Sequence, residues 1–210
     1  MSRRALSGRA LALVVLAAVA LAGCGSTSEA GGSGGSGGTG VDSLPKGLAG
    51  KPATTIALTD ARSGARFDTA SLSGKPYLVT FLYTSCPDVC PLIGQEIREA
   101  LAGLGSQASD VAAVAVSVDP RHDTPAAVQA WLRRQHQPEQ FHYLIGSEAQ
   151  LAPAWRAFYA APQIAGDPES AHTAVVWVVD RDGKLAGKVD GGSPFDPSVL
   201  TDNLRALLST

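Results

Sequence analysis

Cysteine is scarce in this 210-residue chain, which has three, at positions 24, 86 and 90. A fold stapled by several disulfides is excluded. Long apolar runs are scarcer. Ala10–Ala22 is uncharged, but it is shorter than the roughly 20 apolar residues that span a bilayer comfortably. No second such run follows, so the sequence offers no transmembrane anchor elsewhere. Basic residues are not in excess either: 17 Lys and Arg stand against 19 Asp and Glu, a net charge of −2 with neutral histidines. A nucleic-acid binder needs a basic footprint, so nucleic acid is excluded as a partner. No internal repeat is visible.

What the N-terminus does have is order. Arg3, Arg4 and Arg9 precede the apolar run, and Leu21-Ala22-Gly23-Cys24 closes it. A basic segment followed by a short apolar one is a secretory signal, to be set apart from the fold. Its end looks like a bacterial lipobox, in which the cysteine is acylated and becomes the first mature residue. We therefore expect a signal peptide over 1–23, an extracytoplasmic protein, and attachment to the cell membrane by lipid on Cys24. Losing 23 of 210 residues leaves 187. Losing three of the 17 basic residues and none of the 19 acidic ones moves the net charge to −5. Residues 24–44 are rich in Gly and Ser and read as a flexible linker. Residues 45–210 are enough for one domain with its own core.

The domain alternates strands and helices. Thr54–Thr59 and Ala65–Thr69 flank Ser63-Gly64 and predict a hairpin. Pro76–Tyr83 and Val111–Val118 are apolar, β-prone runs of the kind buried in a sheet. Apolar residues at Leu92, Ile93, Ile97, Leu101 and Leu104 have helical spacing over Pro91–Leu104. Thr124 is placed to cap a helix over Pro125–Gln135. Phe141–Ile145 predicts a short strand, and Ser147 with Gln150 has capping-box spacing for a helix to Tyr159. Thr173–Val179 and Lys184–Val189 flank an Asp182-Gly183 turn, and Pro197–Leu208 is a closing helix. This order predicts an α/β thioredoxin-like fold, a mixed central sheet flanked by helices.

With Cys24 assigned to the lipid, Cys86 and Cys90 form the remaining pair. A disulfide between them would close a tiny loop and add little stability, so chemistry is the better reason for the pair. They lie between a buried strand and a helix N-terminus, an edge where α/β sheets bind ligands. Free N–H groups and the helix dipole there favour thiolate. Residues i and i+4 lie on one helical face, about 5–6 Å apart at Cβ. That separation leaves room for a metal between the sulfurs, while a modest local adjustment could still make a disulfide.

Cys86-Pro-Asp-Val-Cys90-Pro91, Val116-Ser-Val-Asp-Pro120, Asp123-Thr-Pro125 and His172-Thr173 occur in that order. Together they resemble the SCO/SenC family of copper proteins, which assist assembly of cytochrome c oxidase. The resemblance covers about residues 50–210. It implies one copper ion held by Cys86, Cys90 and His172. It also implies delivery to the two-copper centre of oxidase subunit II, with another copper chaperone as a candidate partner. Two thiolates and an imidazole are a soft donor set that suits copper. Structural zinc takes four ligands, and no fourth is evident. One departure is Ala171, where family members usually carry Asp. The alternative function is an enzyme, a thiol-disulfide oxidoreductase using Cys86 and Cys90 as a redox-active pair on the oxidase's metal-binding cysteines. An imidazole ligand separates the two, since a pure dithiol reductase needs none. A thiol peroxidase fits poorly, because Phe-Leu-Tyr-Thr-Ser precedes Cys86.

Among the remaining residues, Asp88 and Asp119 are candidates for tuning the cysteine loop. His122 reads as solvated surface, His136 and His142 as surface or strand residues, and Trp131, Trp155 and Trp177 as packing. The lipobox generates a first prediction. Cys24→Ser should release the protein from membranes or block its processing, read by fractionation and intact mass. A normally cleaved mutant that stays in the membrane fraction would refute the lipid anchor.

Overall fold

All six residues of Tyr77–Leu82 are buried. A strand with no polar face needs a partner on each edge and a layer on each side. The computed structural model of the protein, which describes residues 42, 44, 46–163 and 173–209, supplies both. The strands are β1 (Ala57–Asp60), β2 (Arg66–Asp68), β3 (Tyr77–Leu82), β4 (Ala112–Ser117), β5 (Phe141–Ile145), β6 (Val175–Val179) and β7 (Leu185–Asp190). The helices are α1 (Val89–Gly103), α2 (Pro125–Arg134), α3 (Glu148–Ala157) and α4 (Pro197–Leu208). The strands form one sheet in the order β2-β1-β5-β4-β3-β6-β7. β3, β4 and β5 run parallel, while β6 pairs antiparallel with β3 and with β7. The sheet is therefore mixed, as the alternation predicts.

Pairing register decides which side chains share a face. Leu78, Thr80 and Leu82 of β3 lie level with Ala113, Ala115 and Ser117 of β4, and Ala113 and Ala115 with Phe141 and Tyr143 of β5. On that face Trp131 of α2 packs against Phe141 and Tyr143, with ring centroids 6.1 and 5.7 Å away. Such aromatic pairs add about 0.5–1.5 kcal/mol beyond area burial. Gly94 of α1 lies under the same indole: a Cβ there would come within 2.7 Å of it. On the opposite face Phe158, at the end of α3, meets Phe81 and Trp177. All three tryptophans are buried packing residues.

Local signals set the ends. Thr124 caps α2, and Ser147 with Gln150 forms a full capping box on α3. Gly183 takes φ +74° in the β6–β7 turn, where a side chain would be strained. Two 3-10 turns, Thr69–Leu72 and Gly105–Asp110, were not foreseen from the spacing. The N-terminal end of the described chain pairs antiparallel with β7, with the Asp42 N–H donating to Lys188 O at 2.8 Å. Residues 1–41, which include the signal segment and Cys24, lie outside the described residues.

Glu96 is the misfit on α1. It is 4% exposed; Oε1 accepts the Phe195 N–H at 2.9 Å, while Oε2 is buried with no hydrogen-bond partner among the described residues. Burial raises its pKa from 4.5 to about 6, against the pull of that N–H. The folded state therefore holds this proton more tightly than the unfolded chain, and stability falls as pH rises from about 4.5 to 6. The loss amounts to about 2 kcal/mol. Glu96→Gln keeps the acceptor and removes the charge. It should stabilise the protein by about 1–2 kcal/mol at pH 7.5 and by nothing near pH 4, measured by urea unfolding at both. An equal effect at the two pH values would contradict this assignment.

Candidate metal centre

β3 delivers the chain to the sheet edge at Leu82, and α1 begins at Val89. Between them the Cys86 N–H closes a turn onto Tyr83 O at 3.3 Å. Asp88 is the N-cap of α1 and accepts the Val89 N–H. Its Oδ1 also lies 3.9 Å from Cys86 Sγ, so Asp88 both starts the helix and touches the thiol. Cys90 sits in the first helical turn, followed by Pro91, which suits a turn whose N–H groups lack helical partners.

The two cysteines do not share a helical face. Cys86 precedes the N-cap and Cys90 follows it, so the loop rather than the helical repeat sets their approach. The result is close all the same: the Cys90 N–H donates to Cys86 Sγ at 3.2 Å. Both residues are thiols. Cys86 is 6% exposed and Cys90 0%, so the route in from solvent is by way of Cys86.

Electrostatics reverses one expectation. The helix N-terminus was expected to favour thiolate, yet the Cys90 thiol is pushed well above its ordinary range. The Cys86 sulfur as hydrogen-bond partner is the largest cause, followed by burial. The Tyr83 hydroxyl is pushed up too, by burial first and then by Cys86. Two adjacent buried sulfurs resist carrying two negative charges unless a cation joins them.

The topological condition for a distant third ligand concerns β6. Val176 pairs with Thr80, and Thr80 Oγ1 donates to Val175 O at 2.9 Å. The start of β6 thus lies at the sheet edge where β3 releases the cysteine loop. Thr173 Oγ1 donates to Tyr159 O at 3.0 Å. His172 and the loop Gly166–Ala171 lie outside the described residues. Among the described residues no three His, Cys, Asp or Glu side chains form a metal-holding group. The donors there are the two sulfurs, a fit for a soft metal ion.

The other sequence candidates separate cleanly. Asp119 is buried, and its Oδ2 lies 2.7 Å from Nδ1 of His122, whose side chain is 71% exposed. His142 stacks on Phe67 and bonds to Asp60 Oδ2 at 3.1 Å, in the pairing of β5 with β1 and away from the cysteines. His136 lies just past the C-cap of α2 with φ +52°. One residue has no role in the sequence reading beyond its place in the Asp123-Thr-Pro125 segment. Asp123 is 3% exposed and accepts four hydrogen bonds, two of them from Thr84 in the cysteine loop. Its signal in the sequence was the polar pair Thr84 and Ser117 at the ends of two apolar strands.

The SCO1/SenC family model matches residues 54–209. The chain belongs to the SCO1/SenC family. A SCO2-like protein of Rickettsia conorii is 30% identical over 131 residues, 59% of this chain and 62% of the relative. SenC of Rhodobacter capsulatus is 32% identical over 136 residues, 62% of this chain and 58% of its own. The chain thus covers just under two thirds of these relatives. The structure of Bradyrhizobium japonicum ScoI with copper bound is 33% identical, with a TM-score of 0.63, and the match covers 75% of this chain and all of that one. The family fold is thioredoxin-like, which agrees with the mixed sheet described above.

The raised Cys90 thiol has a direct consequence. In reduced protein, iodoacetamide should modify Cys90 far more slowly than Cys86, and the Cys90 rate should still be climbing at pH 9. Peptide mapping by mass spectrometry gives both rates. A Cys90 rate that levels off near pH 7 would show a low-pKa thiol and overturn the assignment.

Proposed function

We propose that the protein carries one copper ion, held by Cys86, Cys90 and His172, and delivers it to the two-copper centre of cytochrome c oxidase subunit II. The observation that carries this reading is the sulfur pair. Cys86 Sγ accepts the Cys90 N–H at 3.2 Å, and both cysteines are buried while Ser85, Pro87 and Asp88 around them are exposed. Thiolate is the ligand form, so copper must displace protons from both sulfurs. The raised Cys90 thiol makes that exchange pH-dependent, with uptake favoured as pH rises. The copper-bound relative at 33% identity supports the metal. The pairing of β6 with β3 supports His172, since the strand that follows it starts beside the cysteine loop. A lipid on Cys24 would keep this cargo at the outer face of the cell membrane.

A second reading has its own support. The same sulfur contact suits a thiol-disulfide oxidoreductase. Cys86 and Cys90 would give two electrons and two protons to a partner disulfide, leaving a Cys86–Cys90 disulfide and two partner thiols. Copper affinity in each oxidation state separates the readings. Cu(I) is content with two thiolates, whereas Cu(II) favours imidazole nitrogen and higher coordination. His172→Ala should weaken Cu(II) binding by about tenfold or more, about 1.4 kcal/mol, and Cu(I) binding much less. Cys86→Ser or Cys90→Ser should impair both. Unchanged Cu(II) affinity and spectrum in His172→Ala would remove His172 from the site and favour the reductase.

A further inference from the structure

Asp123 joins the cysteine loop to two strands through one carboxylate. Oδ1 accepts the Thr84 N–H at 2.8 Å and the Thr84 hydroxyl at 2.7 Å. Oδ2 accepts the Ser117 hydroxyl, at the end of β4, at 2.6 Å, and the Tyr143 hydroxyl of β5 at 3.1 Å. Every oxygen lone pair a buried carboxylate must satisfy is met by a donor. Tyr143 is fully buried, so the anchor under the loop belongs to the core.

The loop is pinned at three places. Thr84 is held by Asp123, the Cys86 N–H by Tyr83 O, and Asp88 by its cap on α1. Cys90 is fixed within the helix at 0% exposure. Any motion that closes a disulfide must therefore come from the Cys86 side, where the Cys86 N–H is held by Tyr83 O and Thr84, two residues earlier, is tied to the sheet by Asp123. We infer that Asp123 is a positioning residue which, through Thr84, holds Cys86 in its dithiol geometry beside Cys90 and against collapse into the disulfide. The inference rests on Cys86 and Cys90 being the working pair. It concerns geometry, not charge: Asn at 123 can accept both Thr84 bonds and donate to the Ser117 and Tyr143 hydroxyls, which also accept.

The test is thiol-disulfide equilibrium of the detergent-solubilised full chain with glutathione, quenched in acid and mapped at Cys86 and Cys90. In this exchange the protein dithiol becomes a disulfide and glutathione disulfide becomes two thiols. Two electrons and two protons pass from protein to glutathione. Asp123→Ala should shift the equilibrium toward the protein disulfide by about tenfold, about 30 mV. Thr84→Val should shift it the same way by a smaller factor and add nothing in the Asp123→Ala background. Asp123→Asn should stay near wild type. An unshifted Asp123→Ala would overturn the clamp, and so would an Asp123→Asn shift as large as that of Ala. If Asp123→Ala fails to fold, Thr84→Val decides, and no shift there overturns the clamp. A wild-type pair that forms no disulfide would overturn both the clamp and the redox role. A wild type that fails to bind copper would remove the copper reading alone, since the equilibrium needs no metal.

Discussion

β3 is paired on both edges, parallel to β4 and antiparallel to β6, and the arrangement of the site depends on this. The parallel pairing brings the ends of β3 and β4 to one edge, so Thr84 and Ser117 can share the Asp123 carboxylate. The antiparallel pairing brings the beginning of β6 to the same edge. Segments more than eighty residues apart in sequence converge because a strand buried on both faces accepts no exposed edge. Six buried side chains in β3 and six in β4 hold that geometry.

The chemistry at this edge is a contest between solvation and proximity. Helix N-terminal N–H groups favour a thiolate, but Cys90 is fully buried and next to a second sulfur. The nearby sulfur and burial prevail, so the metal-free Cys90 holds its proton. A soft cation reverses the balance by offering each sulfur a positive partner. The proposed cargo is then also the counter-charge that makes a double thiolate affordable, which ties copper uptake to proton release. Glu96, on the same helix, shows a similar cost of burial.

Much of the fold was legible in the sequence. The bounds of β5 and of α4 coincide with their apolar spacing, because Ser147 follows the first closely and Pro197 opens the second. The caps Thr124 and Ser147 were readable because capping is local. What could not be read depends on tertiary contacts. The i, i+4 spacing of Cys86 and Cys90 pointed to a helical face, but Asp88 starts the helix between them. The thiolate expectation failed for Cys90 because burial is not written in a six-residue motif. Asp123 looked like an ordinary residue ahead of a helix cap. Its four donors come from three segments that only the sheet brings together. The family resemblance, carried by the cysteine motif and three later segments, agrees with the family match.

The central claim is a copper site of two sulfurs and one imidazole. X-ray absorption at the copper edge of the loaded full chain tests it most directly, compared with His172→Ala. Two sulfur scatterers and one imidazole in the Cu(II) form, with the imidazole signal lost in the variant, is the result this account predicts. An identical imidazole signal in the variant, or a shell without sulfur in the wild type, would contradict it.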